Sequence, residues 1–471
     1  MKAVFSIFLV MLCVNARAVL KLPALIGDHA VLQRGAKIPV WGWAKPGEMI
    51  SISFKGKSYS AVTAGDGKWN MQLAAANAGG PYEMMVSATN ESITIHDILI
   101  GDVFLCAGQS NMEYGIDKFL YAKEIQDSSN PKIRQFKVNR QAADTVRNDI
   151  LLHTGWLSAS PATLGRFSAV AYFYAAALFE KYKIPVGVIN SSYGSSLAEA
   201  WISKEGLADF PGFLKQPKLA SEQSNPTTLF NAMLSPLTPY NVKGVLWYQG
   251  EFNASRAFQY RKLLPTLIND WRKHFDKKDL PFIIVQLPNY NKVQPQLNGS
   301  AIAELREAQA MAALMPNVDF ATTIDINANG DLHPKEKKPI GNRAALMAQQ
   351  LIYHEKLQAS GLRYAALKIE GNKAFIEFTK HSGQIKPVDS VNNFIIAGAD
   401  GKFFPAKAIL VKNTVVVSCA NVPAPMAVRY CWADNPPDVN LYNLDGLPAS
   451  PFRTDDWPGL TAPKNTQQTK R

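Results

Sequence analysis

Cysteine is scarce in this sequence, and the histidines lack the spacing that binds a metal. The 471-residue chain has four cysteines, of which Cys106, Cys419 and Cys431 lie beyond residue 18. So small a number excludes a disulfide-stapled framework, although Cys419 and Cys431 lie in neighbouring strand-like runs and could pair. The seven histidines are dispersed, and no C-x-x-C motif occurs. We therefore expect neither a metal nor another cofactor.

Long apolar runs are absent except near the first residue. Lys2, the apolar stretch 3–14 and the small residues Ala16 and Ala18 are typical of a secretory signal peptide, which predicts cleavage after Ala18. No later segment has the length and apolarity of a membrane span. We expect residues 1–18 to be removed and the remaining protein to be soluble and exported, periplasmic or secreted, without membrane insertion.

A concentrated basic surface is also missing. The formal net charge is +12, but the basic residues are scattered, and the cluster 335–338 itself contains an acidic residue. Scattered charge of this kind is typical of a moderately basic exported protein, and we expect no nucleic-acid partner.

The sequence does contain a change in the pattern of predicted strands and helices along the chain. Residues 19–97 alternate in short strand-like runs separated by turn signals, which predicts a β-rich, sandwich-like domain. Residues 98–356 alternate buried apolar runs with longer helical stretches, which predicts an α/β domain with a parallel sheet. Residues 357–471 return to a β pattern and form a predicted C-terminal β-rich domain.

Ser110 lies at the end of the first apolar run of the α/β region, in "GDVFLCAGQSNM". Open α/β sheets bind ligands at the carboxyl ends of their strands. Ser110 is therefore either part of an N-capping turn, because serine and asparagine are common there, or a nucleophile. As a nucleophile it would open a helix whose N–H groups can hold an oxyanion.

Three later loops follow strand-like runs and add polar chemistry. The loop 190–201 offers Gly194 for a close backbone approach, and the loop 247–254 offers amide side chains. The loop 331–334, "DLHP", places Asp331 two residues before His333. Such a carboxylate can orient an imidazole that takes a serine proton, although a lone Asp-x-His is more often an exposed turn.

Four blocks in this order, "GDVFLCAGQSNM", "NSSYG…EAW", "WYQGE.NA" and "DLHP…..GNR", resemble the SGNH-hydrolase superfamily and, more narrowly, the sialate O-acetylesterase family. Flanking stretches such as "NLYNLDGLPASPFRTDDW" are similar to that family as well, so the resemblance covers nearly the whole chain after residue 18. It implies a three-layer αβα hydrolase domain accompanied by β-rich domains.

The resemblance also implies roles for single residues. Ser110 would be the nucleophile, His333 the base and Asp331 its orienting carboxylate. The oxyanion would be held by the N–H groups of Ser110 and Gly194. A side-chain amide would complete the oxyanion hole, with Gln249 as the first choice and Asn253 as the second.

Two positions depart from the family pattern. Relatives usually carry Gly-Gly-Thr where this chain has Gly194-Ser195-Ser196. If the second glycine is the one that matters, Ser195 must supply the N–H, which a residue other than glycine can do only if its φ/ψ permits. Phe252 replaces the usual small residue, and we expect its ring to pack inward rather than to shape the pocket.

By resemblance, the expected function is removal of O-acetyl groups from carbohydrate, with 9-O-acetylated sialic acid as the expected substrate. Two alternatives are an esterase for acetylated xylan or another polysaccharide, and a non-catalytic carbohydrate-binding protein. The partner in every case is a sugar or glycan. A sialate carboxylate favours an arginine partner, and Arg256, Arg306 and Arg343 are candidates only by their proximity in sequence.

Overall fold

The computed structural model describes residues 19–293, 297 and 299–463. The predicted signal peptide, residues 1–18, therefore lies outside the described residues. In the described part of the chain, no helix is both long and apolar enough to cross a membrane.

The N-terminal region is built of strands, as the sequence predicts. Their bounds are β1 Val31–Gln33, β2 Ile38–Trp43, β3 Met49–Phe54, β4 Lys57–Val62, β5 Lys68–Leu73, β6 Gly79–Ser87 and β7 Ser92–Gly108. Strands β2 and β5 form a two-stranded antiparallel ribbon. Strand β3 pairs with β4 and β6, and β6 pairs with β7, all antiparallel.

Strand β7 joins the N-terminal strands to the central sheet. Its first part pairs antiparallel with β6, and its last part, Asp102–Gly108, enters the central parallel sheet. The predicted boundary between residues 97 and 98 falls inside this strand, and one hydrophobic core extends across it. The division of the chain into domains stays a prediction.

The central region alternates strands and helices. The strands are β8 Asn130–Val138, β9 His153–Ala159, β10 Val186–Ser192, β11 Gly244–Tyr248, β12 Phe282–Val285 and β13 Val318–Ala321. The α-helices are α1 Ser110–Glu113, α2 Ala122–Gln126, α3 Ala169–Tyr182, α4 Pro211–Lys215, α5 Ala257–His274, α6 Ala301–Ala312 and α7 Lys337–Leu351. Helix α3 packs against α7, and α5 packs against α6.

The central sheet has the order β13-β12-β11-β7-β10-β8-β9. These strands pair parallel, except that β9 runs antiparallel to β8. The chain builds one half of the sheet through β8 and β10 and then crosses over β7 to build the other half. The end of β7 is therefore a topological switch point, which is where open α/β sheets bind ligands.

Local sequence explains the main elements. The segment Val103–Ala107 is apolar and fully buried, as expected for a central parallel strand covered on both faces. Helix α3 begins after Ser168, whose Oγ accepts a hydrogen bond from the N–H of Ala171. Helix α6 begins in the same way after Ser300, which caps Ala303.

The C-terminal region forms two antiparallel sheets around a second core. Its strands are β14 Tyr364–Glu370, β15 Lys373–Phe378, β16 Phe394–Ala397, β17 Phe403–Pro405, β18 Lys407–Val411, β19 Thr414–Ser418, β20 Ala427–Tyr430 and β21 Phe452–Arg453. The cysteines Cys106, Cys419 and Cys431 are all free thiols.

Candidate active site

Ser110 and His333 meet at the carboxyl end of β7. Strand β7 ends at Gly108, and Ser110 opens the short helix α1. The Oγ of Ser110 lies 3.0 Å from Nε2 of His333, although the two residues are separated by more than two hundred positions. A hydroxyl and an imidazole at this distance form the pair that serine nucleophiles use for activation.

Gly108 brings three strand ends together beside Ser110. The Gln109 N–H donates to the carbonyl of Tyr248 at the end of β11 (3.1 Å), and the Tyr193 N–H after β10 donates to the carbonyl of Gly108 (3.0 Å). Gly108 has φ +141°, and a Cβ there would lie 2.0 Å from the Tyr248 oxygen. Only glycine fits this close approach.

The surroundings of His333 keep its ring neutral near neutral pH. Burial lowers the pKa of His333, and the positive charge of Lys337 lowers this pKa further. The ring of Tyr114 packs against it, with 4.6 Å between the ring centroids. A neutral imidazole protonated on Nδ1 accepts the Ser110 proton on Nε2, so this imidazole can act as a general base.

Asp331 lies in the same loop as His333, but its carboxylate is exposed. Its backbone carbonyl accepts a hydrogen bond from the side-chain amide of Asn327. Among the described residues, no hydrogen bond joins the Asp331 carboxylate to His333. The orienting role of Asp331 stays a prediction.

A buried polar network next to Ser110 was not predicted as part of the site. Asn111 donates to Oε1 of Glu251 (2.6 Å) and to the carbonyl of Leu332 (3.0 Å), and it accepts from Nζ of Lys337 (2.6 Å). Asn111 therefore links the turn after β7 to the loop that carries His333. The signals in the sequence were Asn111 beside the serine and a lysine four positions after His333.

Lys337 and Glu251 both have perturbed ionisation. Burial lowers the pKa of Lys337 to about 7, although the charge of Glu251 partly opposes this shift. Burial also raises the pKa of Glu251, against the hydrogen bond from Asn111. Buried ionisable groups of this kind cluster at functional sites.

Gly194 lies directly beside Ser110, as the motif order predicts. A Cβ placed on Gly194 would be 3.4 Å from the Ser110 Cβ. The Gly194 N–H, however, donates to Oε2 of Glu113 at 2.8 Å. The next residue, Ser195, has φ +61°, which is the left-handed conformation that glycine adopts more readily.

Gln249 and Asn253 are buried behind the loops. The Gln249 amide donates to the Ser196 carbonyl (3.1 Å) and to Oδ1 of Asn253 (2.7 Å). The Asn253 amide donates to Glu199 at 3.0 Å. These bonds fix the loop 190–201 against the loop 247–254, and they engage the amide N–H groups proposed for an oxyanion. The oxyanion roles of Gln249 and Asn253 stay predictions.

Phe252 is not packed inward. Its side chain is 45% exposed, so the expectation of an inward-packed ring is wrong. The ring lies in the short 3-10 helix Glu251–Arg256, and burial of the neighbouring Asn253 and Ala254 leaves it on the outer side of that turn.

The three arginines proposed for a sialate carboxylate all have structural partners. Arg256 pairs with Glu199, and Arg343 pairs with Asp325. Arg306 is fully buried and donates to backbone carbonyls. Proximity in sequence therefore did not identify an arginine that is open to a substrate.

A family model described as "Carbohydrate esterase, sialic acid-specific acetylesterase" matches residues 100–350, the stretch that carries both Ser110 and His333. The chain belongs to this family. The predictions of the family and of an ester hydrolase are thereby confirmed, and so is a mixed α/β fold with a large central sheet and further β-rich regions.

Relatives of known activity resemble nearly the whole chain. The sialate O-acetylesterase of Homo sapiens is 28% identical over 490 residues, which cover 92% of this chain and 93% of the human one. The sialate O-acetylesterase of Mus musculus is 27% identical over 530 residues, covering 95% and 97%. A crystal structure of a carbohydrate acetylesterase from Xanthomonas citri is 38% identical, with a TM-score of 0.88, and covers 93% of this chain and 100% of that one.

Among the described residues of this family member, no group of three or more His, Cys, Asp or Glu side chains could hold a metal ion.

Proposed function

We propose that this protein is an exported serine esterase that removes O-acetyl groups from carbohydrate, with 9-O-acetylated sialic acid as its substrate. The observation that carries the proposal is the 3.0 Å contact between Ser110 Oγ and His333 Nε2 at the switch point of the sheet. Membership of the carbohydrate esterase family supports it, as do the sialate O-acetylesterases among the relatives.

In the proposed mechanism, His333 Nε2 takes the proton of Ser110 as Oγ attacks the acetyl carbonyl carbon. The tetrahedral intermediate collapses, the sugar oxygen leaves with the proton from His333, and the acetyl group stays on Ser110. Water then attacks the acetyl-enzyme while His333 takes its proton. Acetate leaves and Ser110 recovers its proton.

The oxyanion needs donors that are already in place. We propose the Ser110 N–H as the first donor, because the first N–H groups of a helix lack partners within the helix. The Gly194 N–H is the second donor, once its hydrogen bond to the Glu113 carboxylate is broken. Ser195 is the alternative, since its left-handed backbone is the conformation that the replaced glycine would supply. Gln249, then Asn253, remains the proposed side-chain donor.

Asp331 is the proposed orienting carboxylate of His333. Catalytic hydrogen bonds in ligand-free enzymes are often completed only when substrate binds, and the exposed Asp331 side chain is two residues from the imidazole. If Asp331 orients His333, Asp331→Asn lowers kcat by up to about 10⁴-fold, as the loss of a triad carboxylate can. A loss below about threefold in steady-state kinetics would leave Ser110 and His333 as a catalytic dyad.

Two finer features belong to the same proposal. The packing of α3 against α7 and of α5 against α6 supports a three-layer αβα arrangement around the sheet. The charged and apolar pattern of residues 1–18 supports export with cleavage near Ala18.

Acetate release from defined sugars tests the substrate. Wild type and Ser110→Ala protein are compared on 9-O-acetylated sialic acid and on acetylated xylan at equal acetyl concentration. We expect wild type to prefer the sialic acid and Ser110→Ala to lose at least about 10³-fold in kcat. A clear preference for xylan would overturn the substrate, and equal background turnover by both proteins would favour a non-catalytic carbohydrate-binding protein.

A further inference from the structure

Arg140 is an exposed arginine fixed beside the nucleophile. It lies in the loop between β8 and β9, and 51% of its side chain is exposed. Its Nε and Nη2 donate to the two carboxylate oxygens of Glu113, at 2.6 and 2.7 Å. Its guanidinium also lies over the ring of Tyr193, 5.1 Å from the centroid. Two contacts therefore hold the guanidinium plane in one orientation.

Arg140 and Ser110 both lie close to Gly194. A Cβ built on Gly194 would lie 3.1 Å from Nη2 of Arg140 and 3.4 Å from the Cβ of Ser110. The guanidinium, the Glu113 carboxylate and the nucleophile thus all lie close to the point where a Cβ of residue 194 would project. The guanidinium therefore lies within reach of a group carried by a substrate bound at Ser110.

Arg140 keeps donors that Glu113 does not use. An arginine has N–H groups on three nitrogens, and Glu113 accepts one from Nε and one from Nη2. The Nη1 group makes no contact with Glu113. By contrast, the other cation next to the catalytic pair, Lys337, is fully buried and bonded to Asn111.

We propose that Arg140 binds the carboxylate of the substrate and so makes this esterase selective for acidic sugars that carry the acetyl ester and the carboxylate on one residue. This inference rests on the proposed function. A guanidinium held in place by Glu113 and Tyr193 loses little conformational freedom when a second carboxylate binds, which favours a planar anion over a neutral hydroxyl. A neutral xylan has no carboxylate, so Arg140 would not favour its binding.

The test uses substrates that differ in charge alone. The full-length wild type and the Arg140→Gln variant are assayed on 9-O-acetyl-N-acetylneuraminic acid, on its neutral methyl ester and on 4-nitrophenyl acetate. We expect Arg140→Gln to lose about 10–100-fold in kcat/KM on the acid, mainly through KM, which is the effect of one charged hydrogen bond. The losses of kcat/KM on the methyl ester and on 4-nitrophenyl acetate should be at least about fivefold smaller than the loss on the acid, so that the acid-to-methyl-ester ratio falls.

Arg34→Gln is the matched control. Arg34 donates through Nε and Nη2 to both oxygens of Asp102, the same geometry as Arg140 and Glu113, but Asp102 begins the sheet portion of β7, at the end opposite Ser110. This variant removes the same charge and should keep the wild-type preference for the acid over the methyl ester.

Three results would overturn the inference: a wild type that uses the methyl ester as well as the acid, an Arg140→Gln variant that loses equally on all three substrates, or one that loses on none. An equal loss would mean that Arg140 acts structurally, through Glu113 and Gly194. Calorimetric binding of free N-acetylneuraminic acid to the Ser110→Ala protein, with and without Arg140→Gln, gives a readout without turnover. If the Ser110→Ala protein binds the sugar and Arg140→Gln abolishes this binding, the inference is supported. A wild type that hydrolyses none of the esters would count only against the proposed function.

Discussion

At the residue scale, the nucleophilic role proposed for Ser110 depends on the protonation state of His333. The Nε2 atom must be unprotonated to accept the serine proton, and both burial and the charge of Lys337 lower the pKa of His333. Lys337 has a pKa of about 7, so it is charged in the acidic range where His333 titrates. The two groups repel when both are protonated, and this repulsion favours the reactive, neutral form of His333.

Replacing Lys337 tests this coupling. In Lys337→Met the positive charge is lost, so the pKa of His333 rises toward the ordinary value of about 6.5. Because the active form is the unprotonated one, the acidic limb of the kcat/KM profile should move to higher pH, and activity below pH 6.5 should fall more than activity at pH 8. The measurement is the pH–rate profile on 4-nitrophenyl acetate.

Lys338→Met provides the comparison for this prediction. Lys338 follows Lys337 on the same helix, but it is exposed and pairs with Glu124 at 3.4 Å, so its removal changes the net charge equally without touching the site. The acidic limb of the kcat/KM profile of Lys338→Met should coincide with that of wild type. An unshifted limb in Lys337→Met would show that the lysine does not set the ionisation of His333.

The sequence predicted which residues would lie together in the candidate site only where a motif surrounds them. Ser110 and His333 were predicted because each follows a strand-like run and sits in an ordered set of blocks. Arg140 has no such signal, because it lies in an irregular loop and reaches the site only through tertiary contacts with Glu113 and Tyr193. Phe252 was assigned inward from hydrophobicity alone, and its exposed ring shows how weak that criterion is on a short helix.

At the scale of elements, the site depends on how β7, β10 and β11 end. The sequence predicted that parallel strands would carry the functional loops. It could not predict that β7 would lie between the other two, because strand order is set by pairing between distant segments. Gly108 is the residue that makes this convergence fit, since its backbone lies against Tyr248.

Gly108→Ala should therefore damage the site as well as the fold. The added Cβ would lie 2.0 Å from the Tyr248 carbonyl oxygen, so the end of β7 must move and carry Ser110 away from His333. We expect a loss of about 2–4 kcal/mol in the free energy of unfolding and a fall in kcat of at least about 10²-fold. Urea unfolding and steady-state kinetics measure the two effects.

Gly56→Ala separates the steric clash from the cost of a positive φ. Gly56 has φ +71°, and no atom lies within 4 Å of its added Cβ. This variant should lose about 1–2 kcal/mol and keep full activity on the folded protein. If Gly108→Ala behaves in the same way, the contact with Tyr248 does not position Ser110.

At the scale of the whole molecule, Arg306 joins the central region to the C-terminal sheets. It is fully buried, and it donates to the carbonyls of Leu287 and Pro288 on one side and of Ala433 and Asp434 on the other. The "LREAQ" sequence alone placed it on a predicted helix without showing these acceptors, because Leu287 and Pro288 belong to another segment of the central region and Ala433 and Asp434 lie more than a hundred residues away. Its role is structural rather than in binding a substrate.

Arg306→Met should destabilise the folded protein without changing the chemistry. The buried carbonyls of Leu287, Pro288 and Ala433 lose the Arg306 donor, and unpaired buried polar groups are costly, so we expect the free energy of unfolding to fall by about 3–5 kcal/mol. The exposed Arg166, changed to Met, should cost less than about 0.5 kcal/mol. Equal stability of the two variants in urea titrations would contradict the structural role of Arg306.

The most direct test of the central claim is to trap the acetyl-enzyme. The protein is mixed with 4-nitrophenyl acetate, quenched in acid within the first turnover and digested for mass spectrometry. We predict one acetyl group on the peptide that contains Ser110, and neither acetylation nor turnover in Ser110→Ala. Turnover that persists in Ser110→Ala, with no acetyl group on Ser110 in the wild type, would contradict the account.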